Sequence, residues 1–280
     1  MNLSSKNILY INLSNQTYEL KAHKDLNEFL GGIGIGLKLL HDNLDLNPTI
    51  LSCGPLSGLF PYASKLSILY RNDKNEITEL YGGGSFAAKL RLSGIDSILI
   101  YNKSKAPLAI SIAEGKVDFI NATDNPNLAE IGISGKKSCI KLSGKTLVDN
   151  FFGFGEGPNI RNLKTITVSG DGEIKIPNTK SYMEIYNNIL DKKAELSVEY
   201  STNPSCWGCP AGCDFSNRGE AGNIAILPHC LISCQFAEDI YKEIPLVFSC
   251  LTVLGFKYNH ENLENIPRLV GDIRKSLKVV

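Results

Sequence analysis

Three cysteines within eight residues constrain this 280-residue chain more than any other feature of its sequence. Cys206, Cys209 and Cys213 follow a C-x2-C-x3-C spacing, with glycine and proline between them. Such a loop can turn back on itself and present its sulfur atoms to one point. Thiolates grouped in this way are typical ligands of zinc or of an iron–sulfur cluster, and they suit a hard cation poorly. The sequence therefore predicts a metal centre at this loop.

The fourth ligand of this centre is left open by the spacing. Cys230 and Cys234 are the nearest candidates, and a thiol from a partner protein is another. A [4Fe-4S] cluster normally has four cysteine ligands, three of which the loop supplies. Combined with Cys230 and Cys234, the first two cysteines also give a C-x2-C pair, twenty intervening residues and a C-x3-C pair, which is close to a structural zinc site. Zinc would leave Cys213 unused, so the cluster is the favoured prediction.

Charge and hydropathy exclude several classes of partner. The 29 Lys and Arg residues balance 29 Asp and Glu residues, so there is no electrostatic basis for binding nucleic acid or an anionic membrane surface. No run approaches 18 consecutive apolar residues, so no membrane span is predicted. The first residues lack the apolar segment of a signal peptide, and six of the eight cysteines lie after position 200. We therefore expect a cytoplasmic protein and not a secreted disulfide-bonded domain.

Short strands separated by glycine-bearing turns are predicted for the first 177 residues. The predicted strands are 7–13, 17–20, 49–53, 65–71, 76–81, 96–101, 108–112, 116–120, 163–168 and 173–176. Helices are predicted at 25–30, 37–43 and 86–92. The later part of the chain is helical, with apolar residues at helical spacing in 181–199, 237–254 and 266–277. The predicted class is α+β, with a strand-rich domain over 1–178 and a helical domain over 179–280 that carries the cysteine loop.

The glycine-rich segments lack a nucleotide-binding signature. Residues 31–36 miss the G-x-G-x-x-G spacing, because Leu37 and Leu39 stand where glycine would be needed. Glycine runs at 82–84 and 153–157 would instead let the backbone approach a flat ligand or another chain closely. No catalytic residue can be assigned from the spacing of the histidines and carboxylates.

Six segments occur in a recognisable order along the chain. They are Tyr-Ile-Asn-Leu-Ser at 10–14, Leu-Gly-Gly-Ile-Gly at 30–34, Gly-Pro-Leu-Ser-Gly at 54–58, Gly-Gly-Ser-Phe-Ala-Ala-Lys-Leu at 83–90 continuing to Ser-Gly-Ile-Asp at 93–96, Arg-Asn-Leu-Lys-Thr-Ile at 161–166, and the cysteine loop at 206–213. Together they resemble the N-terminal part of the tungsten-dependent aldehyde ferredoxin oxidoreductases. The resemblance covers nearly the whole chain and is most specific in the cysteine loop.

This resemblance implies a two-sheet N-terminal domain followed by helical domains, with a tungsten bis-pterin near a [4Fe-4S] cluster. Family members oxidise aldehydes to acids and pass the electrons to ferredoxin. The resemblance would place Gly83, Gly84, Lys65 and Arg161 at the pterin. It also implies that the C-terminal domain, which should supply the fourth cluster cysteine, is missing from this chain.

Three departures from the family pattern concern the pterin. Ile33 stands where the family has a basic residue, Lys65 where it has arginine, and residues 151–157 where it has Gly-Arg-Gly-Gly. The loss of arginines removes bidentate donors suited to a pterin phosphate, so tungstopterin is supported less well than the cluster.

We therefore expect an iron–sulfur protein of the oxidoreductase family that works in electron transfer or as a partner-dependent subunit. Its expected partners are a ferredoxin-like electron carrier or a complementing subunit, and self-association as a homo-oligomer stays open. If the chain is active, the expected reaction is aldehyde oxidation. The alternative is a structural zinc scaffold or interaction protein without redox activity.

Overall fold

The computed structural model describes residues 3–123, 136–142, 144–156, 161–170, 172–210, 212–221 and 225–279. Gly157 and Ala211, which belong to segments discussed above, lie outside these ranges. The strands are β1 (Lys6–Asn12), β2 (Thr17–His23), β3 (Thr49–Ser52), β4 (Leu66–Arg71), β5 (Ile77–Gly82), β6 (Ser97–Tyr101), β7 (Leu108–Ala113), β8 (Lys116–Asn121), β9 (Lys137–Lys141), β10 (Lys145–Val148), β11 (Phe152–Glu156), β12 (Leu163–Ser169) and β13 (Glu220–Ala221). The α-helices are α1 (Gly32–Asp42), α2 (Phe86–Leu92), α3 (Thr179–Asp191), α4 (Ile226–Leu231), α5 (Glu238–Tyr241), α6 (Ile244–Val253) and α7 (His260–Val279).

The strands form two mixed sheets. The first has seven strands in the order β13-β5-β4-β3-β6-β1-β2, and the second has six in the order β11-β10-β9-β12-β7-β8. β1 pairs parallel with β6, and β12 pairs parallel with β7. The predicted α+β class, with two sheets in the N-terminal part and helices after them, is confirmed.

Two hydrophobic cores hold the sheets and helices together as three layers. One core lies between the sheets and includes Phe86 from α2. The other lies between the first sheet and the helices α1, α4, α6 and α7. Ile50 belongs to the helix-side core and the next residue, Leu51, to the inter-sheet core, because successive side chains of a strand point to opposite faces. The central strands of the first sheet are therefore buried on both faces, which explains the adjacent apolar residues Ile50 and Leu51 of β3 and Ile68 and Leu69 of β4.

The glycine patch at 31–36 belongs to helix α1, which begins at Gly32 and not at residue 37 as predicted. A Cβ added to Gly34 would lie 2.3 Å from the Phe29 carbonyl oxygen and 3.1 Å from Cys230 Sγ. A Cβ added to Gly31 would lie 2.8 Å from the Cys230 carbonyl oxygen. These glycines therefore allow α4 to pack closely on the start of α1, and they do not form a loop.

Two element predictions are wrong. Residues 173–176 form no strand, because the neighbouring strand β12 already has β9 on one side and β7 on the other. Residues 237–254 are not one helix but the separate helices α5 and α6, since Pro245 stands at the start of α6 and proline cannot continue a preceding helix. The short elements β9, β10, β11, β13 and α4 were not predicted.

The helical region begins at Thr179, next to the predicted domain boundary. This later part of the chain also contributes to the first sheet, because its strand β13 pairs with β5 at the edge of that sheet. Division of the chain into two domains at 178 stays a prediction. No helix in the described ranges combines the length and apolar character needed to cross a membrane.

Candidate metal centre

Four thiols line one cavity of about 40 Å³ where the cysteine loop meets the first sheet. They are Cys206, Cys209, Cys213 and Cys234. All are free of disulfide bonds. Apolar side chains, among them those of Leu196, Val198 and Phe236, contribute much of the remaining lining. The structure therefore joins the three predicted loop thiols to one of the two predicted fourth ligands.

Backbone hydrogen bonds fix the cysteine loop on the rest of the molecule. The N–H of Trp207 donates to the Gly84 carbonyl oxygen at 3.2 Å, and the Gly208 carbonyl oxygen accepts from the Tyr62 N–H at 3.4 Å. Within the loop, the Cys209 N–H donates to the Cys206 carbonyl oxygen at 3.0 Å. Gly208 has φ of +70°, a left-handed conformation that favours glycine. The turn between the first two cysteines is therefore built by glycine and held from both sides.

Cys234 reaches the cavity from a turn that follows α4. The helix ends at Leu231, and the next residue, Ile232, has φ of +50° and turns the chain away from the helix axis. The Cys234 N–H then donates to the Tyr62 carbonyl oxygen at 2.9 Å, and the Gln235 N–H donates to Glu220 Oε2 at 3.1 Å. Tyr62 thus contacts both the cysteine loop and the Cys234 turn, which places the fourth thiol beside the first three.

A buried ion pair adjoins the thiols. Lys65 Nζ pairs with Glu220 Oε1, and their side chains are 5% and 2% exposed. Burial lowers the pKa of Lys65, but the negative charges of Glu220, Cys234 and Cys206 together hold that pKa above its ordinary value. Glu220 Oε1 also accepts a hydrogen bond from Cys234 Sγ at 3.5 Å. Lys65 is therefore charged beside the thiols. No local pattern in the sequence predicted its ion pair with Glu220.

The positive charge of Lys65 opposes the effect of burial on the pKa of two of the thiols. Burial raises the pKa of Cys206, and the Lys65 charge lowers it. Burial and the neighbouring Glu220 carboxylate also raise the pKa of Cys234 well above its ordinary value, and the Lys65 charge opposes both. Because metals bind the thiolate and not the thiol, a cation at this position favours the ligand form of both cysteines.

The glycine run at 82–84 provides close contact with the cysteine loop. A Cβ added to Gly83 would lie 2.3 Å from Cys206 Sγ. The next residue, Ser85, is held by Asp149 Oδ2, which accepts from its N–H at 2.9 Å and from its Oγ at 2.7 Å. The segment that approaches this run is the protein's own cysteine loop, and approach by a flat ligand or another chain stays a prediction.

Two residues singled out from the sequence, Cys230 and Arg161, lie away from the cavity. Cys230 is fully buried in the core between α1 and α4, beside Gly34. Arg161 donates to the carbonyl oxygens of Asn47 and Asn102 and does not line the cavity. Trp207 is 39% exposed, and its Nε1–H donates to the Gly58 carbonyl oxygen at 3.2 Å, so it stands at the surface beside the loop.

Within the described ranges, no three His, Cys, Asp or Glu side chains lie close enough together to hold a single metal ion. A multi-iron cluster differs in this respect, because each thiolate binds a different iron atom.

Comparisons with known sequences agree with the resemblance seen in the motifs. Residues 8–144 match the family model for the aldehyde ferredoxin oxidoreductase N-terminal domain. The tungsten-containing aldehyde ferredoxin oxidoreductase of Pyrococcus horikoshii is 23% identical over 223 residues, which cover 66% of this chain and 36% of that protein. The Pyrococcus furiosus enzyme of the same name is 23% identical over 217 residues, covering 65% and 36%. The chain therefore matches little more than a third of the length of these relatives.

A solved structure has a similar fold over almost the whole chain. It is the active-site complex BamBC of benzoyl coenzyme A reductase with 1,5-dienoyl-CoA, and it superposes with a TM-score of 0.61. The match covers 97% of this chain and 64% of that chain at 14% sequence identity. At this identity the likeness concerns the fold alone, and it includes the helical region as well as the two sheets.

Proposed function

This chain belongs, through residues 8–144, to the aldehyde ferredoxin oxidoreductase family, and we propose that it is an iron–sulfur electron-transfer protein of that family. The proposed [4Fe-4S] ligands are Cys206, Cys209, Cys213 and Cys234. The observation that carries the proposal is that these four thiols line one cavity. Four cysteines are the usual ligand set of such a cluster, so the donor set fits.

The choice of ligands favours the cluster over zinc. The zinc alternative uses Cys230 and leaves Cys213 unused, whereas Cys213 lines the cavity and Cys230 does not. A structural zinc scaffold is therefore the weaker proposal.

The bound cluster would supply one-electron transfer. The chain's own residues would prepare its surroundings, since Leu196, Val198 and Phe236 keep the cavity apolar and limit water. Lys65 would balance part of the negative charge of the thiolates. A ferredoxin-like carrier, or a subunit that complements this chain, is the proposed electron partner.

Of the residues that the resemblance would place at a pterin, Lys65 lines the cavity of the thiols, and Arg161 lies away from it. Gly83 contacts Cys206, and a Cβ added to Gly84 would lie 2.5 Å from Val148 Cγ1. Arg161 instead binds carbonyl oxygens of two other loops. The proposal therefore places a cluster on this chain and assigns aldehyde oxidation only to an assembly in which a complementing subunit holds tungstopterin.

Anaerobic purification with iron, sulfide and zinc analysis tests the proposal. We expect brown protein with about four iron and four sulfide per chain, and an electron paramagnetic resonance signal after reduction with dithionite. The variant Cys234→Ser should lose iron and the signal, while the matched control Cys230→Ser should keep both. Colourless protein with one zinc, or equal iron loss in the two variants, would contradict the assignment.

A further inference from the structure

An exposed strand ends the seven-stranded sheet. β2 pairs on one side with β1 and is the last strand in the sheet order. Six of its seven residues are exposed, and among the described residues no strand pairs with its other side. Its outer N–H and C=O groups are therefore open to pairing with another strand.

One face of β2 continues the apolar surface that lies between the two sheets. Leu20 is opposite Leu9, and Tyr18 is opposite Ile11, in the pairing with β1. Leu9 and Ile11 are buried in the inter-sheet core. Leu20 and Tyr18 are nevertheless 47% and 41% exposed, so this apolar face extends past the part of the sheet that is covered.

The other face of β2 carries charges of alternating sign. Glu19 and Lys21 form an ion pair at 2.9 Å, and Lys21 Nζ lies 5.1 Å from the centre of the Tyr10 ring. Both charged side chains are substantially exposed, at 63% and 47%. An edge strand of this kind repels a strand of like charge but can pair with one whose charges are complementary.

We infer that β2 pairs antiparallel with β2 of a second copy of this chain, with the two-fold axis at Leu20. In this register Glu19 of each copy lies opposite Lys21 of the other, and Tyr18 lies opposite Ala22. The two Leu20 side chains meet at the axis. The pairing would join the first sheets of two copies into one continuous sheet and cover the exposed apolar face, as in an isologous dimer.

Other registers of the same pairing are less favourable. A shift of the residue pairing by two positions places Glu19 opposite Glu19, or Lys21 opposite Lys21. A slip by one residue turns the apolar face of one copy to the charged face of the other. Parallel pairing in register stacks like charges along the whole strand. The sequence of β2 therefore specifies the antiparallel register centred on Leu20.

A charge-exchange experiment on the full chain tests the dimer. Sedimentation equilibrium should show a monomer–dimer equilibrium for the unaltered chain. Glu19→Lys and Lys21→Glu each place two like-charge pairs across the axis, and each should weaken dimerisation by about tenfold. The double exchange should restore it. An equimolar mixture of the two single variants should form a heterodimer, because the lysines of one then face the glutamates of the other.

The mixture separates pairing between copies from effects within one strand, since each single variant loses its own Glu19–Lys21 ion pair. Lys116→Glu, on the exposed edge strand β8 of the second sheet, is the matched control and should dimerise like the unaltered chain. Thermal unfolding of each variant checks that the fold is retained. A chain that stays monomeric at all concentrations, single variants that dimerise normally, or a mixture that forms no heterodimer would each overturn the inference.

Discussion

The buried ring of His229 makes the stability of this fold depend on pH. His229 is 1% exposed and stacks on Tyr81, with ring centres 3.9 Å apart. In the described part of the chain neither ring nitrogen has a hydrogen-bond partner. Burial, and then the charges of Arg274 and Lys65, lower the pKa of His229 to about 3.

The direction and size of the effect follow from this pKa. An unfolded histidine has a pKa of about 6.5, so protonation below that pH stabilises the unfolded chain more than the folded one. The contribution of His229 is therefore complete above pH 6.5 and is lost progressively as the pH falls toward 3. Between pH 7.5 and 5.5 the loss is about 1.4 kcal/mol of unfolding free energy.

Urea unfolding of His229→Phe at several pH values measures this contribution. Phenylalanine can keep the stack on Tyr81 and does not titrate, so the variant should lose about 1.4 kcal/mol less than the unaltered chain over the same pH range. His260→Phe, at an exposed site at the start of α7, is the control and should keep the full dependence. If the difference between His229→Phe and the unaltered chain is the same at pH 7.5 and 5.5, the reasoning about His229 is refuted.

Two further predictions concern the metal centre. Lys65→Met should lower the unfolding free energy by about 3–5 kcal/mol, because it leaves the buried Glu220 carboxylate unpaired. The double variant Lys65→Met/Glu220→Leu should recover most of this loss. Denaturant unfolding of the single and double variants, combined as a double-mutant cycle, measures both effects. A single variant as stable as the unaltered chain would show that the pair is not the main determinant. Gly83→Ala should reduce the iron content of anaerobically purified protein, because its Cβ would meet Cys206 Sγ at 2.3 Å, whereas the control Gly271→Ala, with no atom within 4 Å of the added Cβ, should leave iron content unchanged.

The sequence predicted the fold where local patterns decide it. The strands β1, β4, β7 and β12, and the helix α2, were placed closely because their apolar runs end at turn residues. The glycines at 31–36 were misassigned, since their role depends on α4, which lies nearly two hundred residues later and was not predicted. Such long-range packing leaves no local pattern in the chain.

At the site, the sequence supplied the type of ligand but not the choice between ligands. Cys230 and Cys234 are four residues apart, and only the left-handed turn at Ile232 decides which one faces the cavity. Lys65 and Glu220 are far apart in the sequence, so residue spacing could not predict their ion pair. The orientation of Cys234 and the Lys65–Glu220 ion pair both depend on tertiary structure.

The closeness of the four thiols along the chain bears on the order in which the site assembles during folding. Cys206 to Cys234 span fewer than thirty residues, so bringing their side chains together closes only short loops. The entropic cost of closing a loop rises with its length, and a short ligand set can therefore gather early. Lys65 and Gly83 lie more than a hundred residues away in sequence and come from the sheet, which has to be folded before they can enclose the thiols. A cluster held in this way would be acquired by the helical segment and then sealed by docking against the sheet.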